Sequence, residues 1–276
     1  VHYGKLTFIG GGNMAASLIG GLIAQGYPAA RITACDPSAE ARQRLAAEFG
    51  IQTSADNAGS AAAAETLVLA VKPQIMADVA HGLAPALGQR PLVISIAAGI
   101  PLTALRRWLG GDVPLVRCMP NTPALVRAGI TGLYADPGVD PARRQVAEQI
   151  LAAAGATLWV AEEADLDVVT AVSGSGPAYF FLVMEVMMAA AERLGLQPEV
   201  ARELTLQTAL GAARMARESD VGVAELRRRV TSPGGTTEAA IRVLESGELG
   251  RLFAAAIAAA RDRAAAMGAA LGGPTP

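Results

Sequence analysis

The 276 residues carry a formal net charge of −2 and a pI of about 5.8. The chain therefore lacks the basic footprint of a nucleic-acid binder or of a protein drawn to anionic membranes. Two cysteines, Cys35 and Cys118, and two histidines, His2 and His81, show no metal spacing and imply no disulfide framework.

A chain of this length suits two domains better than one core. Its start shows no secretory pattern, and Glu185 interrupts the best apolar run, residues 178–191. No bilayer span is expected. The expectation is a cytoplasmic protein with neither a nucleic-acid nor a membrane partner.

Leu6–Ile9 reads as a short apolar strand. Gly10-Gly11-Gly12-Asn13-Met14-Ala15 follows, then a helix to about Gln25 that Gly26 stops. Strand, Gly-x-Gly-x-x-Ala and helix is the dinucleotide fingerprint in the context it requires. Gly10 makes the tight turn, Gly12 lets a pyrophosphate approach the backbone, and Ala15 packs against the strand. Gly10, Gly12 and Asn13 are thus the first cofactor candidates.

Ile32–Cys35 is the second strand, ending at Asp36-Pro37-Ser38. An acid about 20 residues beyond the fingerprint suits a ribose hydroxyl. The same Asp36 equally suits the cap of a helix over residues 38–49. Strands follow at 66–71, 92–96 and 114–118, with helices at 74–87 and 101–109. The alternation predicts an α/β Rossmann domain, with a parallel sheet and a ligand at the C-terminal strand ends. Lys72, Ala97, Ala98 and Asn121 fall on that edge. Strands at 130–134 and 157–160 flank a helix at 141–154.

The pattern changes near Glu162-Glu163. A dinucleotide-binding Rossmann domain over 1–163 and an all-α domain over 164–276 are expected, the second for dimerisation and substrate binding. Its helices are read at 165–194, 198–218, 223–230, 236–246 and 248–267, with a disordered tail at 272–276. Arg227–Arg229 is read as a solvated helix face. Ser173-Gly174-Ser175-Gly176-Pro177 interrupts the first helix, either as a simple kink or helix break or to admit a backbone or flat ring. Tyr179 to Met184 are apolar on all sides, which points to burial against a second subunit.

Residues 231–237 read Thr-Ser-Pro-Gly-Gly-Thr-Thr and open a helix. Pro233 fixes one dihedral, while Gly234 and Gly235 free the next two. The unpaired N–H groups of such a helix start can seat a carboxylate or phosphate, with Ser232, Thr236 and Thr237 adding hydroxyls. An ordinary Gly-Pro turn with Thr caps fits the same residues.

A nicotinamide cofactor implies hydride transfer. An alcohol substrate needs a proton acceptor, usually His, Lys or a metal-bound oxygen. The chain has only two lysines, Lys5 and Lys72, and its helical half has neither Lys nor His. Imine reduction avoids the requirement, because a C=N nitrogen protonated beforehand keeps its proton in the amine. A carboxylate seat and one hydroxyl near the ring nitrogen would suffice.

Six motifs occur together in order. They are Gly10 to Ala15, Ala70-Val71-Lys72-Pro73, Ser95 to Gly99, Met119 to Pro123, Ser173 to Tyr179 and Ser232 to Thr237. With them the chain closely resembles the pyrroline-5-carboxylate reductase family over nearly its whole length. The resemblance implies reduction of 1-pyrroline-5-carboxylate to L-proline with NADPH or NADH, in dimers that in some members form decamers. It implies that interlocked helices let the substrate loop complete the partner's site. It places backbone N–H groups around Ser232, Gly234, Gly235 and Thr236 on the substrate carboxylate, and the Thr237 hydroxyl at the ring nitrogen. It puts Met14, Asn57, Ala70, Lys72, Ala97 and Asn121 at cofactor positions. Asp36 departs from the small hydroxyl residue that some members carry, against a strict NADPH preference. An imine reductase for another ring size and a non-catalytic dinucleotide sensor are the rival readings.

Overall fold

The computed structural model describes residues 4–273. Its largest element is an eight-stranded sheet in the order β3-β2-β1-β4-β5-β6-β7-β8. The strands are β1 Leu6–Ile9, β2 Ile32–Cys35, β3 Gln52–Ser54, β4 Thr66–Leu69, β5 Leu92–Ser95, β6 Leu115–Met119, β7 Gly129–Ala135 and β8 Gly155–Trp159. The helices between them are α1 Asn13–Ala24, α2 Ala39–Phe49, α3 Asn57–Ala62, α4 Met76–Leu83, α5 Leu102–Trp108 and α6 Pro141–Ala152.

Both faces of the sheet are covered, so its central strands are almost wholly apolar. Leu6 and Phe8 of β1 pack in one cluster with Leu18, Leu22 and Leu151. Ile9 packs in another with Leu67, Met76 and Leu105. Successive strand residues serve opposite faces, which is why one strand feeds two cores.

β1 runs parallel to both neighbours, with Leu6 opposite Ile32 and Thr66. The sheet departs from parallel at one seam, where β7 runs antiparallel to β6 and Arg117 faces Tyr134. A single short 3-10 segment, Thr122–Val126, joins the two strands. A parallel return needs a crossover of about a dozen residues or more, so the chain can only double back. Parallel pairing resumes from β7 to β8, across α6. β3 and α3 add to the expected elements; Gln52-Thr53-Ser54 is a polar edge strand with no apolar periodicity to mark it.

By compactness the chain forms two units. One contains the residues through Ser175 together with those from Ala259 onward; the other is Gly176–Ala258. The first holds the sheet, α7 Asp165–Val169 and a π-helical turn at Thr170–Gly174. Arg117 of β6 is buried there against Glu163 at 2.9 Å and Asp167 at 3.7 Å. Glu163 also accepts the Leu102 N–H at 2.8 Å, so one ion cluster ties β6 to the starts of α5 and α7.

The Ser-Gly-Ser-Gly-Pro stretch interrupts the α-helix with the end of the π-helical turn and a bend at Ser175, and α-helix resumes at Gly176. Gly174 has a packing reason, since a Cβ there would lie 2.6 Å from the Met119 methyl group. The consequence corrects one expectation. The helical run Asp165–Arg193 spans 29 residues and, by length and composition, is long and apolar enough to cross a membrane.

The second unit comprises α8 Gly176–Arg193, α9 Pro198–Glu218, α10 Val223–Arg229, α11 Thr236–Ser246 and the start of α12 Leu249–Gly272. α12 starts one residue later than expected because Glu248 takes a left-handed φ of 55°, which a helix cannot include. It also runs on to Gly272, and the last three residues of the expected tail lie outside the described ones. Phe180 and Phe181 on α8 are 68% and 64% exposed.

Candidate active site

Parallel strands bring their C-terminal ends to one edge, and every cofactor candidate lies along it. From β3 to β6 the order is Asn57, Asp36, the Gly10 to Met14 loop, Ala70 with Lys72, Ala97, and Asn121. From β1 the chain winds outward to β2 and β3, then crosses back to place β4 on the other side of β1. That switch point is where an open α/β sheet leaves a crevice for ligand.

The local geometry gives each glycine its reason. Gly10 has a φ of 103°, and a Cβ there would lie 2.7 Å from the Ala70 carbonyl oxygen. Gly12 is exposed, and a Cβ on it would meet nothing within 4 Å. Gly12 precedes α1, whose start has no side-chain cap. The first N–H groups of α1 therefore open onto free space with the positive end of the dipole behind them. Asn13 is exposed and Met14 half-buried in that turn, while Ala15 is fully buried beneath it. This cradle fits a dinucleotide pyrophosphate.

Asp36 does not cap α2; Ser38 does, its Oγ accepting from the Ala41 N–H at 3.2 Å. The Asp36 carboxylate instead accepts from Gly11 N at 2.9 Å and from Ser38 N at 2.8 Å. Two arginines that the sequence reading missed brace the same corner. Arg44 donates to the Gly11 carbonyl at 3.0 Å, and Arg42 donates to the Asp36 carbonyl at 2.7 Å. Their signal was the spacing of a basic pair on the first turns of α2.

Asn57 opens α3 behind Asp56, whose carboxylate caps the helix by accepting from Gly59 N. Lys72 is exposed beyond β4, and Ala97 is buried beyond β5. Asn121 is buried with both ends of its amide engaged. Its Oδ1 accepts from Ile130 N at 2.9 Å, and its Nδ2 donates to the Ser173 carbonyl at 3.1 Å. It thus pins the π-helical turn to the end of β6. Burial pushes the thiols of Cys35 and Cys118 upward in pKa, so neither is a ready nucleophile.

The loop before α11 lies in the other unit. Gly234 takes a φ of 69°, in the region that favours glycine, with open space around it. Gly235 is the N-cap of α11, and no side chain caps the helix. Thr236 and Thr237 are its first two residues, leaving their N–H groups without intrahelical partners. Two donors expected on the anion have internal acceptors: Gly235 N donates to the Ser232 carbonyl at 3.0 Å, and Gly234 N to the Glu238 carboxylate at 2.7 Å. Glu238 was not anticipated, although a Glu three residues after an N-cap is the known mark of a carboxylate reaching back. Arg228 and Arg229 pair with Glu225, and Arg227 reaches Glu245 at 2.9 Å, tying α10 to α11 on either side of the loop. A cavity of about 660 Å³ at the opposite edge of the sheet, lined among others by Tyr27, Glu65 and Arg143, contains none of the candidate residues.

A family model described as pyrroline-5-carboxylate reductase dimerisation matches residues 163–267, and one described as NADP oxidoreductase, coenzyme F420-dependent, matches 5–99. A pyrroline-5-carboxylate reductase from Pseudomonas aeruginosa is 56% identical over 97% of this chain and 98% of its own length. A solved structure of a pyrroline-5-carboxylate reductase from Coxiella burnetii is similar with a TM-score of 0.93 and 47% identity, covering 96% of this chain and 99% of that one. The Plasmodium falciparum pyrroline carboxylate reductase, solved with NADP bound, has a TM-score of 0.85 and 30% identity, covering 96% of this chain and 98% of its own. With relatives this similar along nearly its full length, the chain belongs to the pyrroline-5-carboxylate reductase family.

Proposed function

We propose that this protein reduces 1-pyrroline-5-carboxylate to L-proline with NADPH or NADH, the last step of proline biosynthesis. The observation that carries this reading is an uncapped Gly-x-Gly-x-x-Ala helix start at the switch point of the sheet, in a chain so similar to reductases of this name. The residues that hold the cofactor are Gly10, Gly12, Asn13, Met14, Asp36, Asn57, Ala70, Lys72, Ala97 and Asn121. The bound nicotinamide supplies hydride to the imine carbon.

The rest falls to the loop before α11. Backbone N–H groups from Ser232, Gly234, Gly235 and Thr236 hold the substrate carboxylate, which fixes the ring; for this Gly235 N must leave the Ser232 carbonyl and Gly234 N the Glu238 carboxylate. The Thr237 hydroxyl orients the C=N bond, whose electron pair moves to a nitrogen already carrying its proton. No strong acid is then required, in keeping with a helical half that lacks Lys and His. In a spectrophotometric assay, the purified protein with pyrroline-5-carboxylate should oxidise at least one reduced cofactor and form proline. Turnover of a six-membered cyclic imine alone would overturn the substrate assignment.

Residues 1–163 serve as the dinucleotide-binding domain and 164–276 as the substrate and dimerisation domain. A second copy is the occupant of the exposed α8 face, which also accounts for a long apolar helix without a membrane. A dimer in the cytoplasm is the basic unit, and five such dimers would make the decamer that the resemblance allows.

Asp36 bears on cofactor choice. Its charge opposes a 2′-phosphate, yet Arg42 and Arg44 stand beside it. Asp36→Ser should raise the NADPH over NADH ratio of kcat/KM by about fivefold, the ~1 kcal/mol scale of a screened charge pair. It should also weaken binding of both cofactors, because Gly11 and Ser38 lose their acceptor. An unchanged ratio with weaker binding of both would leave Asp36 as a support of the glycine loop alone.

A further inference from the structure

The seat assigned to the substrate carboxylate already holds a carboxylate. Glu238 Oε2 accepts from Gly234 N at 2.7 Å, a length typical of charge-assisted hydrogen bonds. The contact follows from local geometry. Gly235 is the N-cap and Glu238 the third residue of α11, where a Glu naturally reaches back towards the helix start. Gly234 needs its left-handed φ of 69° to aim that N–H, and the space a Cβ would fill is open. The other carboxylate oxygen, Oε1, lies 3.7 Å from Arg242, one turn further on.

We propose that Glu238 is an internal competitor for the carboxylate seat, holding the Gly234 N–H until substrate displaces it towards Arg242. This rests on the reading of residues 231–237 as that seat. Two carboxylates cannot share one N–H, and their like charges repel at short range. Substrate therefore binds by exchange, one charge-assisted hydrogen bond formed for one broken. The cost of the exchange appears in KM. Arg242 lowers that cost by receiving the displaced group, and as an exposed side chain it can follow the movement. Glu238 thus tunes substrate affinity, and L-proline, which bears the same carboxylate, meets the same competition on release.

The test is a double-mutant cycle on the full-length enzyme. Glu238→Gln removes the charge while keeping an acceptor of nearly the same shape. KM for pyrroline-5-carboxylate should fall about threefold to tenfold, the scale of one net hydrogen bond, with kcat moving less than KM. The Kd of L-proline, measured by calorimetry, should fall in parallel. Arg242→Ala should raise KM alone, and should have no effect in the Glu238→Gln background. Melting temperatures of all three variants separate these effects from loss of the helix start. An unchanged or raised KM in Glu238→Gln, with its melting temperature intact, overturns the proposal. So does an equal Arg242→Ala effect in both backgrounds. Should Gly235→Val also leave KM unchanged, the seat itself fails; should Gly235→Val raise KM while Glu238→Gln does not lower it, the competitor alone fails.

Discussion

Thr237→Ala is expected to keep fold and cofactor binding while losing roughly tenfold to a thousandfold in kcat/KM, the scale of an aligned catalytic hydrogen bond. The expectation rests on what the helical half lacks. With no Lys or His there, a hydroxyl at the ring nitrogen is the principal polar side chain left to orient the imine. The structure removes one competing explanation. The N-cap of α11 is Gly235, and no side-chain cap is made, so Thr237 is not holding the helix start as a cap. Thr237→Ser should recover much of the loss by restoring the hydroxyl. A fallen melting temperature with turnover per folded molecule intact would return Thr237 to a structural role.

Gly235→Val is expected to raise KM for pyrroline-5-carboxylate by roughly tenfold to a hundredfold, as lost charge-assisted hydrogen bonds would. The reason is steric. Gly235 has φ −84° and ψ 171°, extended backbone that valine adopts without strain. Its Cβ, however, would lie 2.7 Å from Ser232 Oγ and 3.0 Å from the Ser232 carbonyl. Ser232 must shift, and the donors beside it shift with it. Cofactor affinity, set at the strand edge, should not change. Equilibrium binding of NADPH and steady-state KM on one preparation check both halves. An unaltered KM would make residues 231–237 an ordinary turn.

Much of this arrangement was legible in the sequence, and the exceptions have physical causes. β1, β2, α9 and α11 carry the predicted boundaries because each starts and stops on strong chemistry. Gly10 ends β1, Pro198 opens α9, and two glycines precede α11. Strand direction is another matter, since alternation of apolar residues is the same for either sense. The reversal at β7 came from the shortness of the Thr122–Val126 link. Glycine and proline raise the local cost of α-helix at 173–177 and so mark an interruption, but not its form, a π-helical turn in which Gly174 makes room for Met119. Within the site, residue types and spacing revealed the Gly12 cradle and the Gly234-Gly235 loop. They did not reveal which donors had internal acceptors. Glu238 carried no role in the sequence, and Asp36 read as a cap or a ribose ligand, until the chain brought Gly234 and Gly11 to them.

The last helix has a consequence for synthesis. α12 ends in the same compact unit that the chain began, where Arg107 of α5 donates to the carbonyls of Gly272 and Gly273 at 3.1 and 2.8 Å. Gly176–Ala258 is therefore an insert within that unit and not an appendage to it. During translation the sheet can pair long before the end of α12 leaves the ribosome, yet the unit stays incomplete until it does. The nascent enzyme must carry its insert, with Phe180 and Phe181 exposed, through that whole interval. A chain released a few turns early would lose the closing segment of its first unit while keeping every residue assigned to cofactor and substrate.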